Sequence, residues 1–146
     1  MSTIRLEQVA GNDIGLKAAL MDAHLPTDDV EDHGRTFFKA VSADDRVVGF
    51  SGVEHCGGDF LLRSVVVLPD HRGQNLGGAL VEQTLAGLGR DGDVFLATTS
   101  AAPFFARIGF SGVRRDSLPA AVLATRQLSS ICPSSATIMK PIRPPT

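Results

Sequence analysis

Residues 65–85, VVVLPDHRGQNLGGALVEQTL, constrain the fold more tightly than any other part of the chain. An apolar run that ends in Pro69 reads as a buried strand, and the amphipathic stretch over 75–90 reads as a helix. Between the two lie Arg72, Gly73, Gln74, Asn75, Leu76, Gly77 and Gly78. Where a strand runs into a helix, the first amide groups of the helix lack intrahelical partners. With the positive end of the macrodipole they favour an anion. Glycines at 73, 77 and 78 remove side chains that would keep a phosphate from the backbone. Asn75 tolerates a left-handed conformation better than other non-glycine residues, so it fits the same turn. Arg72 adds fixed positive charge at the mouth.

The flanking pattern sets the fold class. IRLEQVA (4–10) reads as a strand, and Asn12 or Asp13 can cap a helix whose apolar stripe is Ile14, Leu16, Ala19, Leu20 and Ala23. Pro26 ends that helix, and TDDVEDHG (27–34) reads as a short acidic helix or loop. Strands over 36–42 and 46–55 flank the polar turn ADD and form a hairpin. CGGD (56–59) turns the chain into a third strand, 60–68, whose near-continuous apolar run suits a position covered on both faces. After the helix come a strand at 93–99, a short helix stopped by Gly109 and a strand at SGVRRD. A helix opened by Pro119 and capped by Ser117 follows, then a last strand at 135–142. The predicted class is α/β (α+β): a mixed, mostly antiparallel sheet of six to seven strands with helices on both faces. The domain is expected over 3–142, with a frayed tail at 143–146.

Charge and composition exclude several functions. A net charge of −2 and no basic stripe argue against nucleic acid as a partner. The N-terminus lacks the apolar stretch of a signal peptide, and no window approaches a membrane span. Cys56 and Cys132 form neither a disulfide framework nor a zinc pattern, so a metal is not expected and a reducing cytoplasm is. A P-loop would need Lys-Ser/Thr after its last glycine, and Gly77 is followed by Gly78-Ala79. A Rossmann fingerprint would begin at the first strand of a parallel unit, whereas here a hairpin precedes the turn.

The stretch from Arg72 to Gly77 resembles the R/Q-x-x-G-x-G/A segment of the GNAT superfamily of N-acetyltransferases, with Asn75 in place of the first glycine. TTSAAPFFARIGF (98–110) is similar to the family's N-x-x-A-x-x-x-Y-x-x-x-G-F segment: Ala101, Gly109 and Phe110 match, Thr98 replaces Asn and Phe105 replaces Tyr. More loosely, LLRSVVV, the 98–110 segment and LPAAVLATRQLSSICPSSATIM together resemble a group of arsenic-resistance-associated and amino-acid N-acetyltransferases. The resemblance implies acetyl-CoA as cosubstrate, its pyrophosphate held by Arg72, Gly73, Gln74, Asn75, Leu76, Gly77 and Gly78. It implies that the strand at Val65, Val66 and Val67 splays from its neighbour 93–98, so that an N–H of Val66 or Val67 meets the thioester, with Thr98 and Phe105 also near the cofactor. The acceptor would be a small primary amine, an amino acid or an amino-acid-like compound, arsenic-containing ones included. A homodimer is implied by the same resemblance.

Attack of an amine on a thioester requires something to take the amine's proton. Glu54 is the first candidate, and a solvated strand-end carboxylate is the competing reading of it. His55 could share the task or simply be exposed, and Ser64 could order a water or satisfy a backbone carbonyl. The chain contains no tyrosine, so the family's usual proton donor to the leaving thiolate is missing. Cys132 is either a substitute donor or a buried, inert thiol. Arg63, a charge inside an apolar strand, calls for a substrate carboxylate or an internal acidic partner. Arg114 and Arg115 are weaker candidates for the mouth of the site. A catalytically silent acyl-CoA binder of the same fold, a sensor or partner subunit, is the alternative to an enzyme. A dinucleotide-dependent oxidoreductase is the third class.

Overall fold

The structure, a computed structural model, describes residues 4–25, 27, 30, 31, 34–72, 76–88, 92–99, 101–125, 128 and 136–141. Pro26, most of the acidic run after it, Gly73, Gln74, Asn75, Cys132 and the tail lie outside the described residues. The chain divides into two compact units, Met1–Glu54 with Leu62–Arg90 and His55–Leu61 with Asp91–Thr146. The expected mixed α/β class holds, with seven strands among the described residues.

In the first unit, strands β1 (Ile4–Val9), β2 (Arg35–Ser42), β3 (Val47–Cys56) and β4 (Asp59–Val67) lie side by side in chain order. β1 and β2, and β2 and β3, pair antiparallel. Helix α1 (Ile14–Asp22) starts at Asp13, whose Oδ2 accepts from the Leu16 amide at 2.9 Å, the cap the sequence predicts. Leu16, Ala19 and Leu20 of α1 pack with Phe37, Phe50 and Val66 on one face of the sheet. Ile14 leaves the predicted stripe and is 86% exposed. It sits two residues ahead of Leu16 and therefore points away from the buried side of the helix. Leu76 and Leu80 of α2 (Leu76–Ala86) pack with Ile4, Ala40 and Val48 on the other face.

The change of face along β3 has a local cause. Ala40 pairs with Gly49 but Val41 pairs with Val47, so Val48 is an extra residue in the ladder. Val47 and Phe50 therefore serve the α1 cluster while Val48 serves the α2 cluster. Gly49, next to that bulge, lies beneath β4. A Cβ there would stand 2.4 Å from the Val66 carbonyl oxygen.

In the second unit the first residues of β4 pair parallel with β5 (Val94–Thr98), Phe60 with Val94 and Leu61 with Phe95. β7 (Thr137–Pro141) runs antiparallel to β5 and to β6 (Phe110–Val113). Gly57 and Gly58, with φ of 64° and 117°, make the expected turn into β4. Cys56, Leu61, Phe95, Leu118, Val122 and Ile138 form the core of this unit. Gly109, with φ of 102°, follows helix α3 (Ala102–Arg107) and ends it as predicted. Ser117 does not cap α4 (Ala120–Leu123): its Oγ donates to the Arg114 carbonyl at 2.7 Å. Pro119 itself is the N-cap residue, with no side-chain hydrogen bond. The chain spends Ser117 on closing a 3₁₀ turn at Arg115–Ser117 instead.

The Gly49 contact is with backbone, which cannot rotate away. Gly49→Ala is expected to lower stability by about 1–3 kcal/mol. Gly112→Ala, where a Cβ meets nothing nearer than 4.0 Å, is expected to stay within about 0.5 kcal/mol of the parent. Urea unfolding of the two variants checks the contrast.

Candidate active site

Ser64 adopts φ of 58°, in the middle of a strand and without being glycine. For a residue with a Cβ this region costs about 1–2 kcal/mol, so the surroundings must hold it there. The conformation also switches faces. Val65 and Val67 pack toward the α2 cluster and Val66 enters the α1 cluster. Arg63 lies over Phe37, a member of that same α1 cluster, with its Cζ 5.8 Å from the ring centroid. In a regular strand residues 63 and 66 would face opposite ways. Ser64 therefore acts as an inserted residue that re-aims the main chain of Val65–Val67.

A buried ionic cluster stands immediately before it. Glu54 Oε1 lies 3.3 Å from Arg63 Nη1, and Glu54 Oε2 lies 3.3 Å from Arg35 Nη2. The three side chains are 6%, 2% and 9% exposed. Glu54 is thus not a solvated strand-end carboxylate, and the internal acidic partner expected as one reading of Arg63 is Glu54. The β2–β3 register explains the meeting: Arg35 pairs across from Glu54 and Phe37 from Gly52, all on the α1 face. Gly52 makes room for the Phe37 ring, which a Cβ would meet at 2.6 Å. Arg63 Nε also reaches Ser64 Oγ, a long contact of 3.4 Å. Arg35 was missed in the sequence. Its two-residue offset from Phe37 was the available sign, since alternate strand residues share a face.

Beyond β4, Arg72 folds back so that its Nε donates to the Val67 carbonyl at 3.0 Å. The turn is thereby tied to the end of the strand. Leu76, Gly77 and Gly78 form the first turn of α2, which carries no acidic side chain. The first amides of any helix lack intrahelical partners, and the 11-residue length of α2 supports a full macrodipole. Gly73, Gln74 and Asn75, the rest of the predicted cradle, lie outside the described residues.

In the second unit, Thr98 ends β5 and its Oγ1 accepts from the Ala101 amide at 2.9 Å, which starts the approach to α3. Phe105 is 7% exposed and stacks edge-on between Phe104 and Phe110, with centroids 5.0 and 5.5 Å away. His55 is exposed and meets Phe60 edge-on at 5.3 Å. Arg114 is an exposed partner of Asp116, and Arg115 donates to the Leu128 carbonyl at 3.2 Å. Cys132 lies outside the described residues, while Cys56 is buried.

Residues 33–112, more than half of the chain, match the family model described as an acetyltransferase (GNAT) domain. The chain belongs to the GNAT acetyltransferase family. It is accordingly an N-acetyltransferase whose acyl donor is acetyl-CoA. Solved structures share the fold of this GNAT chain at low identity. Tetrahymena GCN5 matches with a TM-score of 0.73 at 15% identity, over 97% of this chain and 98% of that one. N-acetylglutamate synthase from Neisseria gonorrhoeae, solved with coenzyme A and L-arginine, matches with a TM-score of 0.72 at 18% identity, over 97% of this chain and 33% of that one. A variant of SpeG spermidine N-acetyltransferase from Vibrio cholerae gives 0.61 at 13%, over 76% and 81%. No curated protein sequence is found to match the chain. The residues of the first unit fit a pyrophosphate-bearing donor: an acid-free helix start, two glycines in its first turn and a guanidinium fixed at the strand end.

The left-handed turn within β4 of this acetyltransferase gives a direct test. Ser64→Val places a β-branched side chain at positive φ and is expected to cost about 2 kcal/mol or more. Ser64→Gly, free of the Cβ clash, is expected to match or exceed the parent in stability. Thermal unfolding distinguishes the two substitutions.

Proposed function

We propose that this GNAT acetyltransferase moves the acetyl group of acetyl-CoA onto the primary amine of an amino acid or amino-acid-like compound, arsenic-containing analogues included. The observation that carries the transfer reading is the re-aimed main chain after Ser64, followed directly by Arg72 and the start of α2. The C-terminal resemblance to amino-acid N-acetyltransferases supports the acceptor class. Two of the structural neighbours, by their names, also handle small amines, a spermidine N-acetyltransferase and an N-acetylglutamate synthase.

In this reading Gly73 to Gly78, with Arg72, hold the pyrophosphate, and the main chain of Val65–Val67 takes the pantetheine end. The neutral amine attacks the thioester carbonyl carbon. An N–H of Val66 or Val67 donates to the oxygen as negative charge builds on it. The C–N bond forms, the C–S bond breaks, the amine's proton passes to water and the sulfur leaves as thiolate. Glu54 has both oxygens turned to guanidinium groups, which supports a reading in which it does not accept that proton. Phe105, standing where the family has a tyrosine, favours a second reading: an acyl-CoA binder of the same fold that performs no transfer.

Acetyl-CoA at about 100 times its dissociation constant is expected to stabilise the protein by roughly 2.7 kcal/mol, visible as a rise in Tm, whereas NAD is expected to give none. Gly77→Val is expected to weaken acetyl-CoA binding roughly tenfold or more, ~1.4 kcal/mol. Release of the coenzyme A thiol with a panel of amino acids and arsenic-containing amino acids then separates the readings. Turnover on any of them supports the enzyme, and tight binding with none supports the silent binder.

Cys132→Ala is expected to leave turnover within about twofold, because an inert cysteine is commoner than a catalytic one. A drop of roughly a hundredfold in kcat, on the scale of a lost acid catalyst, would assign the proton to that thiol.

A further inference from the structure

We propose that Glu54 and Arg63 are positioning residues that hold Ser64 in its left-handed conformation, and so keep the Val65–Val67 amides aimed for transfer. The inference rests on the reading that this main chain receives the thioester. It assigns Glu54 a task other than taking a proton.

A serine at φ of 58° stays there only if the chain on both sides is fixed. On the far side, Val66 is locked into the α1 cluster, and Val65 and Val67 pack against the α2 cluster. Leu68 continues the hold, its amide donating to the Val48 carbonyl at 2.8 Å. On the near side the anchor is the Arg63 side chain. Its guanidinium is engaged by Glu54 at 3.3 Å and lies over the Phe37 ring, while its Nε reaches Ser64 Oγ.

Glu54 in turn is fixed by Arg35 on the neighbouring strand. β2, β3 and β4 thus meet through one buried carboxylate at the residue before the turn. A planar guanidinium fork gives direction to this hold as well as charge, and a lysine ammonium would supply charge alone. Without the anchor, the strand can relax toward regular β geometry. Relaxation would return Arg63 and Val65 to one face and turn the following amides away.

The test uses the full-length enzyme with acetyl-CoA and the best amine from the panel. Arg63→Lys keeps a cation beside Glu54 and loses the fork. It is expected to lower kcat roughly tenfold, since small misplacements of a reacting geometry are costly, with coenzyme A affinity nearly unchanged. Adding S64G is expected to restore most of that loss. Glycine takes the left-handed conformation without being held. A merely structural role would move Tm and the folded fraction, and S64G would not bring kcat back.

The alternative, Glu54 as base, predicts a different pH profile. With E54Q the deficit would then shrink as pH rises and the amine loses its proton in solution. A positioning role keeps the ratio of parent to E54Q constant across pH. An R63K/S64G enzyme no faster than R63K, or a deficit of E54Q that closes at high pH, overturns the proposal. Should E54Q and R63K both fail to fold, S64A and S64G decide: S64A loses the Oγ contact and keeps the backbone demand, so it is expected to be the slower of the two. Equal rates overturn the idea. Absence of acetyl-CoA binding or turnover in the parent protein would instead defeat the transfer reading itself.

Discussion

One strand has to satisfy two helices. The second half of β4 sends Arg63 and Val66 to the α1 face and Val65 and Val67 to the α2 face, and the left-handed Ser64 is what makes that division possible. Side-chain direction in a strand alternates strictly, so an odd offset between same-face residues demands an extra residue somewhere. β3 solves the same problem with Val48. The Leu68 amide bonds the carbonyl of that very residue, so the two irregularities lie on adjoining strands and support each other. Regularising either one would turn apolar residues of both clusters to the wrong side.

The ionic cluster beside this turn is difficult to justify by stability alone. Moving charged groups out of water costs several kcal/mol per ion, and an apolar set of similar volume is often no less stable. An apolar set could not set the orientation of residue 63. A guanidinium held by a carboxylate and resting on an aromatic face is fixed in both position and plane. Glu54 is also shared, with Arg35 on the opposite side, so the arrangement ties three neighbouring strands where the backbone is least regular. Directional constraint, more than net energy, is what such a cluster contributes to this fold.

Local chemistry was legible in the sequence, and register was not. Asp13 capping α1, the glycines that turn the chain into β4 and the stop at Gly109 each follow from one residue and its neighbours. Val48 and Ser64 have no such signature, because Val-Val-Gly and Arg-Ser-Val are unremarkable strand text. A bulge is fixed by what packs on either face, which only the assembled sheet decides. The same gap hid the partners of Glu54. Read as the end of a strand it looks solvated, but strand pairing sets it opposite Arg35 and inside the core. Ser117 shows the reverse error: a good capping residue was taken by a nearer acceptor, the Arg114 carbonyl.

A phenylalanine at position 105 suits an aromatic cluster. Its ring is enclosed edge-on by Phe104 and Phe110, and a hydroxyl buried there would need a hydrogen-bond partner of its own. The chemical loss is bounded by the leaving group. A thiol ionises near pH ~8.5, only about 1.5 units above neutrality. For a cysteine-like thiol, at 1.36 kcal/mol per unit, departure as the unprotonated thiolate at neutral pH costs about 2 kcal/mol. An amine or alkoxide leaving group would need an acid far more. Acetyl transfer from a thioester is therefore the reaction of its class that best survives without a tyrosine. Under the proposed transfer, the task that cannot be delegated to water is the placing of amides on the carbonyl oxygen, which is the part proposed for the turn after Arg63.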